Sequence, residues 1–461
     1  MSDLNFLNTQ LSRRSVLSSA LLGGTLCLTG CTDAYSQEPS PPEPIPVPES
    51  KPFPAPYVQL FPNTELNFEA LFGLGSAGIC SEMGEVLTAV REANVNGADV
   101  AAYYTAFRSL ADSLAASAAQ ARPATARARH LRAAKYYSQA LFVVLGSSTP
   151  GAEEEVWLRM TEQWAAAAAL TSPAWEKISI PYEGSDLPGW FFPAPSGSGA
   201  PRPTVIISNG SDGQNIDLLA YGIDAALKRG YNALTYDGPG QGETLFVRNI
   251  PFRYDWEKVV TPVVDYLLGR PEVDASRIAL TGWSMSGSLV ARAAAFEKRL
   301  AAVVSDSGLH SAWLAYPQEL RELAQAGNQA TVNSIWVQDV IPSVGPFEAY
   351  YLAKRFSIFS SEAQRQARAG QVPTDFFTIA KAVQALDLSP EVMALVTTPY
   401  LVTDYQDDDF YDGQAQTLYD GIQGPKTYHK FTDGARYHCG PMAPTLRNEV
   451  VFDWLDQTLG L

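Results

Sequence analysis

The hydrophobic pattern of the chain changes once, near residue 173. Before that point, from about 65 to 170, apolar residues recur every three or four positions and alanine is abundant, which is the spacing of amphipathic helices. The clearest predicted helices cover 100–121, 124–145 and 152–170. We therefore expect residues 63–172 to form a helical domain, which is either a plain packing domain or a cap over a site.

After residue 173 the pattern predicts strands that alternate with helices. A hairpin comes first, with a turn of about four residues over 183–186. Uninterrupted apolar strands then alternate with amphipathic helices, which indicates a mostly parallel sheet with helices on both faces. Strands are predicted at 204–208, 231–236, 277–281, 300–305, 400–403 and 426–431, and helices at 220–229, 256–268 and 448–459. Residues 173–461 are thus expected to form one α/β domain, with a helical insertion over 310–390.

The first 62 residues follow neither pattern. Residues 12–17 (Ser-Arg-Arg-Ser-Val-Leu) resemble a twin-arginine export motif, and the apolar run at 16–28 is too short to span a bilayer. Leu-Thr-Gly-Cys at 28–31 resembles a bacterial lipobox. These residues predict a signal over 1–30 and a lipid on Cys31, with a buried hydrophobic helix as the alternative.

Nine prolines lie within residues 39–56, a composition that favours an extended spacer. Residues 31–62 are therefore predicted to be a proline-rich linker. Together with the signal, this linker predicts an exported bacterial protein, periplasmic or extracytoplasmic, that is held to a membrane only by its lipid anchor.

Composition limits the partners. The chain of 461 residues carries 33 Lys and Arg against 49 Asp and Glu, a net charge of −16, which repels nucleic-acid phosphates. Four cysteines and four histidines are too scattered for a disulfide framework or a metal site. We expect no nucleic-acid partner, no metal and no cofactor, and free thiols at Cys80 and Cys439; whether the chain forms a homodimer stays open.

The first candidate for chemistry is the run Gly282-Trp283-Ser284-Met285-Ser286-Gly287. It lies between a predicted strand and a helix of small residues, which is the layout of a nucleophile elbow. The usual pattern has glycine two residues after the serine, where this chain has Ser286. Because Ser286 itself lacks a glycine two residues before it, Ser284 is the predicted nucleophile.

A serine nucleophile needs a base and an acid that orients the base. His438 is the predicted base because it follows the last predicted strand, whereas His429 lies within that strand, His130 lies on a basic helix, and His310 follows an earlier strand. The acid is expected after the strand at 399–403, within a run of aspartates. Asp408 is the first choice and Asp407 and Asp409 are the alternatives; the spacing does not fit an EF-hand calcium loop.

Two backbone N–H groups are expected to stabilise a developing oxyanion. One is that of Met285, which follows the nucleophile. The other comes from the loop 208–213, with Ser211 or Gly210 as the donor. The loop 237–242, with glycines spaced by two, does not match a dinucleotide-binding fingerprint, and it is expected to form a wall of the same pocket.

These motifs together resemble one family. Asn-Gly-Ser-Asp-Gly at 209–213, Asp-Gly-Pro-Gly-Gln-Gly-Glu at 237–243, Arg253 with Trp256, the Ser284 elbow, Asp-Asp-Phe-Tyr at 408–411 and His438-Cys439 are similar to α/β-hydrolases of the fermentation/respiration switch esterase type. Their relatives include carbon-carbon bond hydrolases of nicotine degradation and of fungal polyketide shortening. The resemblance covers residues 65–461 and implies an α/β-hydrolase fold with a helical cap that encloses the substrate.

The expected activity is that of a serine hydrolase that cleaves an ester or related acyl bond of a small or medium-sized carbonyl substrate through an acyl-enzyme. The same triad also fits a carbon-carbon (β-diketone) hydrolase or an aminopeptidase-like amidase. Carbon-carbon cleavage would need enolate-stabilising cap residues, for which the candidates are Tyr103, Tyr104, Tyr136, Tyr137 and Trp313. The alternative of another class is a noncatalytic surface lipoprotein.

Overall fold

A computed structural model describes residues 58–195 and 199–461. The predicted export signal, the predicted lipidation site Cys31 and most of the predicted proline-rich linker lie outside these residues. Within the described part of the chain, no helix is both long enough and apolar enough to cross a bilayer.

The described chain begins with a helical region. Asn63 caps the first helix by accepting a hydrogen bond from the Leu66 N–H at 3.0 Å, and Asp99 caps the third in the same way through Ala102 at 2.8 Å. The helices are α1 (Thr64–Gly75), α2 (Met83–Val95), α3 (Val100–Ala118), α4 (Pro123–Val143) and α5 (Glu153–Ala169), with short 3₁₀ turns at Val144–Gly146 and Pro150–Ala152. The three long helices that the sequence predicts are confirmed.

Strands begin at Glu176, where the sequence pattern changes. In the described residues, eight strands form one sheet in the order β1-β2-β4-β3-β5-β6-β7-β8; β2 is antiparallel to both β1 and β4, and the remaining neighbours are parallel. The strands are β1 (Glu176–Tyr182), β2 (Ser185–Phe192), β3 (Arg202–Ser208), β4 (Asn232–Tyr236), β5 (Val273–Trp283), β6 (Ala302–Asp306), β7 (Tyr400–Tyr405) and β8 (Lys426–Phe431). Every residue of β4, β6 and β7 is buried, as expected for strands covered on both faces.

The turn of the first hairpin is shorter than predicted. Tyr182 pairs directly with Ser185, so only Glu183 and Gly184 form the turn, and both have positive φ angles, 44° and 79°. Positive φ at both central residues is the signature of a type I′ turn, whose twist matches that of the strands. The predicted four-residue turn is therefore wrong, because Ser185 and Asp186 already belong to β2.

Helices cover the sheet and form the insertion. Those beside the sheet are α6 (Asn215–Leu218), which continues through a π turn at Leu219–Ile223 into α7 (Asp224–Lys228), then α8 (Gly242–Phe246), α9 (Glu257–Leu268), α10 (Ser286–Phe296), α16 (Pro390–Ala394), α17 (Gln414–Gly421) and α18 (Pro444–Leu459). The insertion contains α11 (Gln318–Leu323), α12 (Gln329–Ile335), α13 (Pro346–Ser357), α14 (Ser361–Arg368) and α15 (Phe376–Gln384), with short turns at Trp313–Ala315, Trp336–Val340 and Ile341–Ser343; a last 3₁₀ turn, Asp433–Ala435, follows β8.

A buried ion pair joins the last helix to the centre of the sheet. Arg447 on α18 donates to the carboxylate of Asp306 at the end of β6, and both side chains are almost fully buried. Thr403 on β7 also donates to Asp306, at 2.9 Å, and Arg447 donates to the Tyr221 carbonyl at 2.7 Å. The pair thus ties the carboxyl ends of β6 and β7 to α18, at the edge where the loops after β3 and β5 also meet.

Candidate active site

The structure places Ser284 in a sharp turn between β5 and α10. Its φ is 56°, a left-handed value that a residue with a side chain adopts only under constraint. Its N–H donates to the Asp306 carbonyl at 2.5 Å. A Cβ at Gly282 would lie 2.2 Å from the Ser286 carbonyl oxygen, and one at Gly287 would lie 2.0 Å from that of Ser307. The turn therefore needs glycine at both positions.

Ser286 departs from the usual elbow pattern but fits this one. It is fully buried, and its hydroxyl donates to the backbone carbonyl of Asn209 in the loop after β3. The close contact with the next strand is made by Gly287 instead. The hydroxyl of Ser286 thus ties the elbow to the loop that contains Gly210 and Ser211.

His438 and Asp408 reach Ser284 from two other loops. The His438 Nε2 atom lies 2.9 Å from Ser284 Oγ, and Nδ1 lies 2.8 Å from Asp408 Oδ2. Because an ionised carboxylate can only accept, Nδ1 carries the proton, which leaves Nε2 to accept from the Ser284 hydroxyl. The structure brings together the serine, histidine and aspartate selected from the sequence in the arrangement that a catalytic triad requires.

Asp408 is held by several donors. Its Oδ1 accepts from the N–H groups of Phe410 and Tyr411, both at 2.9 Å, and its Oδ2 also accepts from the Ser307 hydroxyl at 3.0 Å. Burial raises the pKa of Asp408, but the His438 charge and these backbone donors together outweigh it, so the pKa lies below its ordinary value. Asp408 therefore stays ionised beside the histidine.

The pKa of His438 is shifted in the opposite direction. Burial of the ring lowers the pKa of His438. The charge of Asp408 and the hydrogen bonds to the ring together raise it by more, so the pKa lies well above the ordinary 6.5. A base of raised pKa accepts the serine proton more readily, but it is neutral, and so able to act, only at higher pH.

The alternative acids contact other groups. Asp407 pairs with Arg436, and Asp404 pairs with Lys430 at 2.8 Å and accepts from the Tyr428 hydroxyl at 2.7 Å. Burial raises the pKa of Asp409, which is not among the residues that line the cleft beside Ser284. Among the aspartates of this loop, Asp408 is the one with a hydrogen bond to His438.

The other histidines lie elsewhere. His310 Nδ1 is 3.2 Å from the Gln414 side-chain oxygen, His130 Nδ1 is 2.7 Å from that of Gln163, and the His429 ring packs edge-on against Phe431. Cys80 and Cys439 are both buried and unpaired, as expected from the sequence. The Cys439 sulfur lies 3.4 Å from His438 Nε2.

Candidate oxyanion donors flank Ser284. A Cβ at Gly210 would lie 2.9 Å from the Ser284 Cβ, so the backbone of this loop approaches Ser284 directly. The Gly210 N–H donates to the Asn209 side chain at 2.9 Å, whereas the structure gives no hydrogen-bond partner to the N–H groups of Ser211 and Met285 within its described residues. These two N–H groups are therefore the better placed to receive an oxyanion.

The loop 237–242 was expected to line the pocket, and that expectation is wrong. Gln241 instead lies behind the oxyanion loop, where its side-chain amide donates to the carbonyls of Asn209 and Gly210. None of the residues 237–242 borders either of the two clefts beside Ser284. The loop supports the backbone of Asn209 and Gly210, beside the first cleft.

Two clefts meet at the elbow. The first contains Ser284 and His438, and its wall includes Phe68, Glu69 and Phe72 from α1 and Phe142 from α4. The second contains Met285 and is walled by the insertion. Both are bordered by Ser211, Arg355, Phe410 and Tyr411. Helices from both predicted cap regions thus border the space above Ser284.

The residues proposed for enolate stabilisation are not in this space. Tyr103 donates to Gln139 at 2.7 Å, Tyr136 donates to Glu85 at 2.9 Å, and Tyr137 donates to Asp112. Neither they nor Tyr104 and Trp313 border the two clefts. The side chains that do border the clefts and that the sequence did not single out include Phe68, Glu69, Lys135, Asp217 and Arg355.

No metal-binding group is present in residues 58–195 and 199–461, where no three His, Cys, Asp or Glu side chains are suitably clustered. The described site therefore consists of the elbow, its two polar partners and the clefts.

Comparisons with known proteins agree with this architecture. Residues 106–326 match the family of FrsA-like esterases. The solved structure of 2,6-dihydroxy-pseudo-oxynicotine hydrolase superposes with a TM-score of 0.59 at 21% identity, over 85% of this chain and 95% of that one. The chain has an α/β-hydrolase fold. The fold expected from its sequence motifs is confirmed.

Relatives of similar length are fungal hydrolases. Hydrolase LUC6 of a Fusarium species is 29% identical, and 20-hydroxy-prefusarin hydrolase FUS2 of Gibberella moniliformis is 26% identical; each match covers 87% of this chain and 98% of the relative. The expectation of an enzyme is confirmed, and the noncatalytic alternative is set aside.

Proposed function

We propose that this α/β-hydrolase cleaves an ester or related acyl bond of a small or medium-sized organic substrate, with Ser284 as nucleophile, His438 as base and Asp408 as the acid that orients it. The observation that carries the proposal is the continuous series of contacts from Ser284 Oγ to His438 Nε2, 2.9 Å, and from Nδ1 to Asp408, 2.8 Å. The similarity to FrsA-like esterases supports it.

In the first half of the reaction, Ser284 Oγ bonds to the carbonyl carbon while its proton moves to His438 Nε2. The π-electron pair of the carbonyl moves to oxygen, which accepts hydrogen bonds from the Ser211 and Met285 N–H groups. When the intermediate collapses, the bond to the leaving oxygen breaks and that oxygen takes the proton from His438. The products are an alcohol and an acyl-serine.

In the second half, water takes the place of the alcohol. His438 accepts a proton from the water as its oxygen bonds to the acyl carbon, and the proton is then returned to Ser284 as the serine leaves. The acid is released and the enzyme is restored. The reaction requires no other co-reactant than water.

A fluorophosphonate probe tests the nucleophile, and p-nitrophenyl hexanoate tests turnover. The wild type should be labelled and active, and Ser284→Ala should lose both properties. Ser286→Ala is the matched control, since its hydroxyl is buried against the Asn209 carbonyl, and it should keep the label. Equal labelling of wild type and Ser284→Ala would contradict the proposal.

Carbon-carbon hydrolysis of a β-diketone is the second candidate. It uses the same attack, but the leaving group is an enolate whose charge needs a partner. The cations Lys135 and Arg355 border the first cleft, which also contains Ser284. Comparison of kcat/KM for p-nitrophenyl esters and β-diketones separates the candidates, because a preference for the diketone would replace the esterase assignment.

A further inference from the structure

The two clefts beside Ser284 differ in chemistry. Within the described residues, the second cleft has one charged wall residue, Arg355, and its other walls include Leu320, Leu352, Ile358 and Phe359. The first cleft has Glu69, Lys135 and Asp217 on its wall as well. A substrate that spans both clefts would therefore have an apolar half and a half with hydrogen-bonding groups.

The position of His438 indicates which cleft holds the leaving group and which holds the acyl chain. His438 must return its proton to the leaving oxygen, so the leaving group lies on its side of the scissile bond. His438 and Cys439 border the first cleft and not the second, whereas Met285 borders the second and not the first. The leaving group consequently belongs in the first cleft and the acyl chain in the second.

Among the residues that the structure describes, Glu69 is the carboxyl group on the first cleft that has no basic partner within hydrogen-bonding distance. It lies on α1 between Phe68, whose ring centre is 6.3 Å from that of His438, and Phe72, whose ring centre is 5.4 Å from that of Trp283. Lys135, by contrast, is paired with Asp217 at 2.6 Å. Glu69 thus borders the cleft in the same segment that packs against the triad.

One oxygen of Glu69 is left for a ligand. Tyr103 donates to Gln139 Oε1 at 2.7 Å, which fixes the orientation of the Gln139 amide, and Gln139 Nε2 then faces Glu69 Oε2 at 3.4 Å. In the part of the chain that the structure describes, Glu69 Oε1 has no hydrogen-bond partner.

Burial raises the pKa of Glu69 to about 8, so the group carries a proton near neutral pH. The cations facing it from α4 and α13 lower the pKa, and the anions facing it from α6 and the loop after β3 raise it. These groups are Lys135, Lys354, Asp217 and Asp212, and the phenols of Tyr103 and Tyr350 also face Glu69. A protonated carboxyl group in this position is a hydrogen-bond donor.

We propose that the enzyme selects esters whose alcohol half carries a neutral oxygen acceptor, such as a ketone, and that the carboxyl group of Glu69 donates a hydrogen bond to this oxygen in the first cleft while an apolar acyl chain occupies the second. This inference rests on the proposed esterase function. It assigns Glu69 as a residue that determines specificity, separate from the triad.

A pair of esters of equal shape tests the proposal. Hydrolysis of 4-oxopentyl hexanoate and 4-methylpentyl hexanoate is measured at pH 6.5 and pH 9.5; the two differ by a ketone oxygen in place of a methyl group, far from the scissile carbonyl. At pH 6.5 the wild type should prefer the ketone by about 10-fold in kcat/KM, the usual value of one hydrogen bond. At pH 9.5 that preference should fall to about 1, because an ionised Glu69 no longer donates.

Variants separate the hydrogen bond from packing. Glu69→Gln keeps a donor that does not ionise, so its preference should persist at both pH values, whereas Glu69→Leu should lose the preference and still hydrolyse 4-methylpentyl hexanoate. Glu92→Gln, an exposed glutamate on α2, is the control and should behave as the wild type.

Three results would overturn the inference: a wild-type ratio near 1 at pH 6.5, an unchanged ratio in Glu69→Leu, or a ketone preference found only when the ketone is moved to the acyl chain. Each is distinct from failure of the esterase proposal, in which neither ester would be cleaved or Ser284→Ala would remain active.

Discussion

Replacing Glu69 by glutamine should stabilise the protein at alkaline pH and leave its stability nearly unchanged at acid pH. The carboxyl group is buried, and its pKa is about 8 in the folded protein against an ordinary value of 4.5. Between these values the folded state holds a proton that the unfolded state has released. Stability from this group is therefore fully present below pH 4.5 and is lost as pH rises through 8.

The size of the effect follows from the two pKa values. Each pKa unit corresponds to 1.36 kcal/mol, so the difference between 8 and 4.5 sets a ceiling of about 5 kcal/mol on the stability that the wild type loses. Glutamine has nearly the same shape and does not ionise. The difference in free energy of unfolding between Glu69→Gln and the wild type should thus grow by several kcal/mol from pH 4.5 to pH 9.

Urea unfolding followed by tryptophan fluorescence at pH 4.5, 7 and 9 measures this difference. Glu92→Gln, which changes an exposed carboxyl group, should give a difference that hardly varies with pH. If the Glu69→Gln difference were equally constant across this range, the carboxyl group would not be held neutral by burial, and the reasoning would be refuted.

Three further outcomes are expected. Asp408→Asn should lower kcat/KM by about 10⁴ and move the acid limb of the pH profile to lower pH, because it removes the charge that raises the pKa of His438; an unmoved limb in residual activity would contradict this. Gly287→Ala should destabilise the fold by several kcal/mol, since the new Cβ would lie 2.0 Å from the Ser307 carbonyl, as thermal melting would show. We propose from the sequence that a lipid on Cys31 anchors the protein, so Cys31→Ala, expressed in a bacterial host, should shift it from the membrane fraction to the soluble fraction; an unchanged distribution would contradict lipid anchoring at this residue.

Much of the site follows from local sequence order. Parallel strands place their carboxyl ends at one edge, so residues that follow successive strands meet there whatever their separation along the chain. This is why Ser284, Asp408 and His438 could be selected without coordinates. The sequence also allows Ser286, in place of the usual glycine, to be interpreted as a tolerated change. The hydrogen bond from Ser286 to the Asn209 carbonyl could not be predicted from it.

Residues that act through burial could not be found in this way. Glu69 lies in an ordinary helical stretch, and its altered proton affinity arises from packing between distant helices. Tyr136 and Tyr137 looked suitable for the pocket because they are aromatic, yet their hydroxyls bind acidic side chains inside the helical region. Ser307, which donates to Asp408, follows a strand as the triad residues do, and that position is the signal that could have identified it.

The ion pair between Asp306 and Arg447 makes completion of the site a late event in synthesis. The Asp306 carbonyl accepts a hydrogen bond from the Ser284 N–H. The elbow is therefore held by a residue whose carboxylate has no cationic partner until the last helix docks. A nascent chain that ends before α18 would contain Ser284, Asp408 and His438, but it would have to bury the Asp306 carboxylate without a cation, with only the hydroxyls of Thr403 and Tyr405 as donors, which is strongly unfavourable. When α18 docks, the loop just before it brings the base to the site, and the nucleophile turn becomes stable at the same time. An unfinished chain therefore has no assembled site with which to react.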